Sequence, residues 1–167
     1  MTRDERAMTH IGYEVEMCAL SGYRMLTVTD QHAVNAYLEC TLLHARGLEE
    51  FLVMTKGRPR TDDMLRTQFA PEWTPAPADA VYRLGARRSD INKHLAHLTW
   101  ARVDRPESPA WPWIEITVDT VAIARAWVEH VTRSEDKDID DPDIKALILL
   151  GAVENAERFL TQVPRNA

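Results

Sequence analysis

An all-α fold, an up-and-down bundle of about five helices with a long Pro-rich loop after the second, is predicted by three features of the sequence. Apolar residues recur at three- and four-residue intervals over long stretches. No segment alternates apolar and polar residues for more than a few positions. Prolines gather in two stretches that separate the periodic segments. At 167 residues the chain is long enough to bury a core without disulfides or a structural metal, and residues 1–167 are expected to form a single domain.

Met8, Ile11, Val15, Cys18, Gly22 and Met25 share one helical face and predict a first helix over residues 4–27. Thr29 or Asp30 offers the N-cap of the next. Its stripe is Val34, Leu38, Thr41, Ala45, Leu48 and Leu52, with Gly57 as the expected left-handed terminator. A tight turn between two such helices predicts an antiparallel hairpin. Residues 56–77 then turn polar, with Pro59, Pro71, Pro75 and Pro77 among charged residues. Met64, Leu65, Phe69 and Trp73 give this excursion the means to pack back as a lid over one end. Ser89 is the expected cap of a third helix reaching residue 103, with Ile91, Leu95 and Leu98 inward. Residues 106–113 hold three prolines and two tryptophans and predict irregular chain. Ile114, Ile116 and Val118 alternate briefly, allowing a short extended piece. Val121, Ala124, Val128 and Val131 then resume a helical stripe. Asp141 followed by Pro142 marks the start of the last helix, buried through Ile144, Leu147, Ile148 and Phe159.

Composition narrows the function. No run approaches the roughly 20 apolar residues of a membrane span, and the first residues lack a secretory pattern, which predicts a cytoplasmic protein. Cys18 and Cys40 are too few for a disulfide framework and read as buried thiols. The net charge of −6 argues against a general nucleic-acid binder, yet residues 56–105 carry ten Lys and Arg against six Asp and Glu. That basic middle fits an anionic ligand. Phosphate loops, paired-cysteine motifs, His-Glu-x-x-His and nucleophile elbows are all missing, and no cofactor is expected.

Histidines on helices are the remaining chemistry. An α-helical wheel centred on Ile91 places His94 about 60° and His97 about 120° from the core direction, on the flank of Asp90. A carboxylate one turn before an imidazole fixes its tautomer and raises its pKa, as a general base or a phosphate-gripping histidine requires. His94, with Asp90 one turn before it, and His97 are therefore the acid–base candidates, and His44 on the edge of the second helix's core face needs a partner if it is buried. His44 with His94 and His97 also forms a workable ligand set for a metal-binding bundle, a rival reading that lacks any paired-ligand motif. A second rival is a non-enzymatic interaction or regulatory module that uses Trp73, Trp111 and Trp113 as its surface.

The segment Asp90-Ile91-Asn92-Lys93-His94-Leu95-Ala96-His97-Leu98-Thr99 resembles the last-helix signature of HEPN proteins, and residues 42–52 resemble the helix that packs beside it. The same segments resemble small bacterial helical proteins of no assigned activity. The HEPN resemblance implies a small helical bundle, a homodimer and a metal-independent RNase-like site in which an Arg and a His act together. Aligned on Ala96-His97, the family's histidine falls on His97 and its arginine position on Ile91. A second register pairs Arg88 with His94, so the resemblance implies a site with His94, His97, Arg88 and Asp90 as catalytic candidates and Arg87, Lys93, His44 and Asn92 as ligand-binding ones. The expectation is a HEPN-like bundle that binds RNA or another anionic ligand through His, Arg and Lys, its catalysis weakened by Ile91 in the arginine position.

Overall fold

Thr2 starts the first helix by accepting a hydrogen bond at its hydroxyl from the Glu5 amide (3.2 Å), while the Glu5 carboxylate accepts from the Thr2 amide (2.7 Å). This reciprocal cap satisfies two otherwise orphaned donors and sets the first residue of α1, Arg3–Met25. The chain is described by a computed structural model over residues 2–54, 62–96, 110–133 and 142–162. Among these residues every regular element is helical. After α1 come α2 (Gln31–Leu52), a short 3₁₀ turn (Arg66–Gln68) and α3 (Ala78–Ile91), which runs on into a π-helical turn, Asn92–Ala96. Two further helices complete the bundle, α4 (Trp113–Arg133) and α5 (Pro142–Thr161).

The α1 stripe folds as its periodicity predicts, and the α2 stripe does so from Thr41 onward, Val34 and Leu38 being half-buried. Met8, Ile11, Val15, Cys18, Gly22 and Met25 are buried on α1, as are Thr41, Ala45, Leu48 and Leu52 on α2. Asp30 caps α2 by accepting from the Ala33 amide at 2.9 Å. Contacts from Glu14 to His44, Cys18 to Thr41 and Ser21 to Cys40 run in opposite chain directions, so the two helices form an antiparallel hairpin. Helix α1 also packs along α5, and α4 closes the bundle against both α2 and α5. The Asn155 amide donates to Glu16 (2.6 Å), tying α5 to α1, and Arg125 forks onto Glu157 (3.0 and 2.7 Å), tying α4 to α5. Helix α3 lies on α4 and α2, clamped to α4 where Arg83 forks onto the buried Asp119 at 2.9 and 2.6 Å.

The core fills the space between these helices. Among the described residues Val15, Leu42, Leu48, Leu52, Ile91, Ile116, Ile123, Val128, Leu149 and Val153 are fully buried aliphatic members, and Trp127 is fully buried among them. Phe51 meets Trp127 edge to face at 5.1 Å and Phe69 meets it at 6.5 Å, arrangements that match the ring quadrupoles. Phe69 belongs to the Pro-rich excursion after α2, so its described part packs into the bundle as expected. Trp73 is buried too, with the Arg66 guanidinium 5.7 Å from its ring and donating to the Trp73 carbonyl at 3.0 Å, whereas Met64 is exposed.

Four local expectations are corrected. Helix α2 stops at Leu52, where the Val53 amide still bonds the Glu49 carbonyl, and does not extend to Gly57, which lies outside the described residues. The third helix starts at Ala78, and Ser89 is inside it. Pro77 leads in with the fixed φ a helix start tolerates, and Asp79 in the first turn complements the helix dipole. Ile114, Ile116 and Val118 are not extended but lie in α4, where Thr117 and Thr120 satisfy their hydroxyls on the carbonyls of Trp113 and Ile116, each at 2.7 Å. Cys18 is buried, but Cys40 is only half-buried. The expected stretch to residue 103, Leu98, His97, Asp141 and the side chains of Ile144, Leu147 and Ile148 fall outside what is described, and Phe159 is half-buried.

Candidate polar site at the α2 and α3 junction

Arg88 sits in the last turn of α3 and reaches across to α2. One of its terminal nitrogens donates to Glu50 Oε1 at 3.2 Å, and its Nε lies 3.6 Å from Glu49 Oε2. Arg46, one turn before Glu50, donates to the same Oε1 at 3.1 Å. Two arginines and two carboxylates thus share one junction. Glu50 is held by both cations, whereas Glu49 is held loosely by one. Burial pushes the Glu49 carboxyl above the ordinary Glu value, against the pull of Arg88; Glu50 pushes it the same way as burial, and Arg46 opposes.

Beyond Arg88 the helix changes pitch. The π turn gives each residue less angular advance than an α-helix, so side chains after Ile91 depart from the α-helical wheel. His94, expected on the flank beside Asp90, is 7% exposed. Its ring meets Trp111 edge to face at 6.1 Å. No hydrogen bond joins it to the half-buried Asp90 among the described residues, so the expected carboxylate–imidazole pair does not form there. His94 Nε2 is buried without a hydrogen-bond partner, and so are Asn92 Oδ1, Glu49 Oε2 and Arg46 Nε. Native interiors leave few such atoms unsatisfied, and these four belong to α2 and to the turn that packs on it. Arg87 is half-buried and Lys93 exposed on the same run.

Candidates from the sequence therefore divide. Arg88, Asn92 and His94 belong to this junction. His97 lies outside the described residues. His44 faces the other way: Arg46, Glu49 and Glu50 are all at least about 120° round α2 from it. Its Nδ1 bonds Glu14 Oε2 at 2.6 Å, Tyr13 lies edge-on to its ring, and His10 is 3.6 Å from Glu14 Oε1. The bond from His44 holds the Glu14 carboxyl below its ordinary range despite partial burial. Among the described residues no three His, Cys, Asp or Glu side chains are grouped to hold a metal.

Of the tryptophans expected on an interaction surface, one is buried and two are half-buried. Trp73 is buried, Trp111 packs partly buried on the core, and the half-buried Trp113 lies where a methyl group on Gly22 would come within 3.3 Å of its ring. Arg46, Glu49 and Glu50 went unread in the sequence. Glu49 flanks the stripe of Ala45 and Leu52, and a carboxylate beside an apolar stripe is the signal that marks it. The chain matches no family model, no curated protein and no solved structure, so its own side chains are the ground for a functional reading.

Proposed function

We propose that this bundle binds RNA, or another ligand bearing a phosphate anion, at the junction of α2 with α3 and its π turn, without a metal ion. The observation that supports the reading is His94 Nε2, buried and unpartnered six positions after Arg88 on one continuous helical run. An arginine fork and an imidazole on one run offer donors to a phosphodiester, and Asn92 Oδ1 awaits a donor from the ligand. Arg87 and Lys93 add positive charge alongside. Binding rather than cleavage is the role proposed, because the register that aligns His97 with the family's histidine puts Ile91, 1% exposed in the core, where that family carries the arginine that would meet a developing phosphorane charge.

The test is binding of a fluorescent single-stranded ribo-oligonucleotide at low salt with chelator present. Wild type should bind, and Arg88→Gln and His94→Gln should each weaken binding by about tenfold, the scale of one charge-assisted hydrogen bond. Their circular dichroism should match wild type. No binding by wild type, or equal binding by both variants, would reject the reading.

A further inference from the structure

Glu49 distinguishes the junction from a simple arginine cradle. It is 4% exposed, its Oε2 accepts no hydrogen bond, and its counter-charge is Arg88 at 3.6 Å. Glu50, by contrast, is more exposed and keeps Arg46 whatever Arg88 does. An anion that engages Arg88 must compete with both carboxylates; Glu50 keeps its bond to Arg46, whereas Glu49 loses its ion-pair partner and keeps only the weaker pull of Arg46. A buried carboxylate stripped of its partner is among the costliest groups a protein can hold, and it escapes the cost by becoming neutral.

We infer that an anion entering at Arg88 displaces Glu49 from the guanidinium and that Glu49 takes one proton from solvent as it is displaced. Ligand binding at this site is thereby coupled to proton uptake. The inference rests on the reading of the junction as a phosphate-binding site. The balance is simple: the Arg88–carboxylate pair is exchanged for an Arg88–phosphodiester pair, and a carboxylate plus a proton becomes a carboxylic acid. The charged groups that act on Glu49 are Glu50 and Arg46 on its own helix and Arg88 on α3. The π turn packed against α2 brings His94, while Glu14 and His44 belong to the opposite flank. Burial already biases Glu49 toward the neutral form and Arg88 opposes it, so diverting Arg88 acts in the direction required.

Calorimetric titration with a ribo-oligonucleotide lacking terminal phosphates tests this, since its phosphodiesters do not titrate near neutrality. Run at one pH in two buffers of different ionisation enthalpy, wild type should take up a fraction of a proton, at most one, per site. Its affinity should fall as pH rises from mildly acidic to mildly alkaline. Glu49→Gln should bind at least as tightly as wild type at the alkaline end, with no proton uptake and a flatter pH dependence. Wild-type infrared spectra should gain a carboxylic-acid band on ligand addition, a readout that needs no variant. Binding without proton uptake, or uptake that persists in Glu49→Gln and so belongs to another group, would overturn the inference and leave the binding site standing. Absence of binding at every pH would overturn both.

Discussion

Ile91 and His94 show how three positions on one run separate core from site. Ile91 is 1% exposed and lies at the centre of the packing between α3 and its neighbours, so the register that equates it with a family arginine would demand a charge in the core. Ile91→Ala should cost about 2–4 kcal/mol as a buried large-to-small change, measured by denaturant titration. It should leave the helix content intact. The cysteines make a second contrast at this scale. Burial pushes the Cys18 thiol up to about 12, whereas Cys40 is half-buried and accepts a hydrogen bond from Ser21 Oγ at 3.1 Å. Only the thiolate reacts with an alkylating agent. Under native conditions at mildly alkaline pH, iodoacetamide should modify Cys40 well before Cys18, as peptide mass mapping would show; equal rates would mean that the α1–α2 seam opens faster than the packing implies.

At the scale of elements, the crossing of α1 and α4 depends on Gly22. A methyl group there would come 3.3 Å from the Trp113 ring and 3.4 Å from Thr117 Oγ1, tighter than ordinary contact. An alanine would otherwise gain about 1 kcal/mol of helix propensity over glycine. Gly22→Ala should therefore lower the melting temperature in wild type but raise it when Trp113→Ala has removed the ring, a non-additivity expected of residues in contact. The pattern of error in reading the sequence belongs to the same scale. Helices α1 and α2 were legible because their stripes are long and unbroken. The start of α4 was not, because Ile114, Ile116 and Val118 mimic a strand; the deciding bonds of Thr117 and Thr120 to carbonyls one turn back leave no mark on hydropathy. The start of α3 was hidden by reading Pro77 as the end of a loop rather than the approach to a helix. For the site, Arg88 and His94 were legible as polar residues on a helix. Glu49 carried a signal of burial beside its stripe, but its pairing and that of Glu50 arise only when α3 lays Arg88 against α2, and the π turn in which His94 is buried cannot be seen on an α-helical wheel.

Across the whole molecule, two buried or half-buried carboxyls place opposite demands on stability. Glu14 has its folded-state pKa below the usual 4.5 because His44 bonds its carboxylate, with His10 adding attraction. The unfolded chain then binds more protons than the fold in the window just below 4.5, so the stability Glu14 contributes is present above that window and lost as pH falls through the lowered value. Glu49 has its folded-state pKa above 4.5, chiefly through burial. Here the fold binds more protons, so stability is greatest where Glu49 is neutral and declines as pH rises from 4.5 through the raised value, levelling off beyond it. Each term is isolated by subtracting wild type from a variant in denaturant titrations across pH. Glu14→Gln should grow less stable relative to wild type as pH climbs through its window, and Glu49→Gln should grow more stable relative to wild type as pH climbs through its own. If the Glu49 difference were flat, or of the same sign as that of Glu14, the carboxyl would be firmly paired in the free protein. The junction of α2 and α3 would then be a structural salt bridge with no proton to exchange for a ligand.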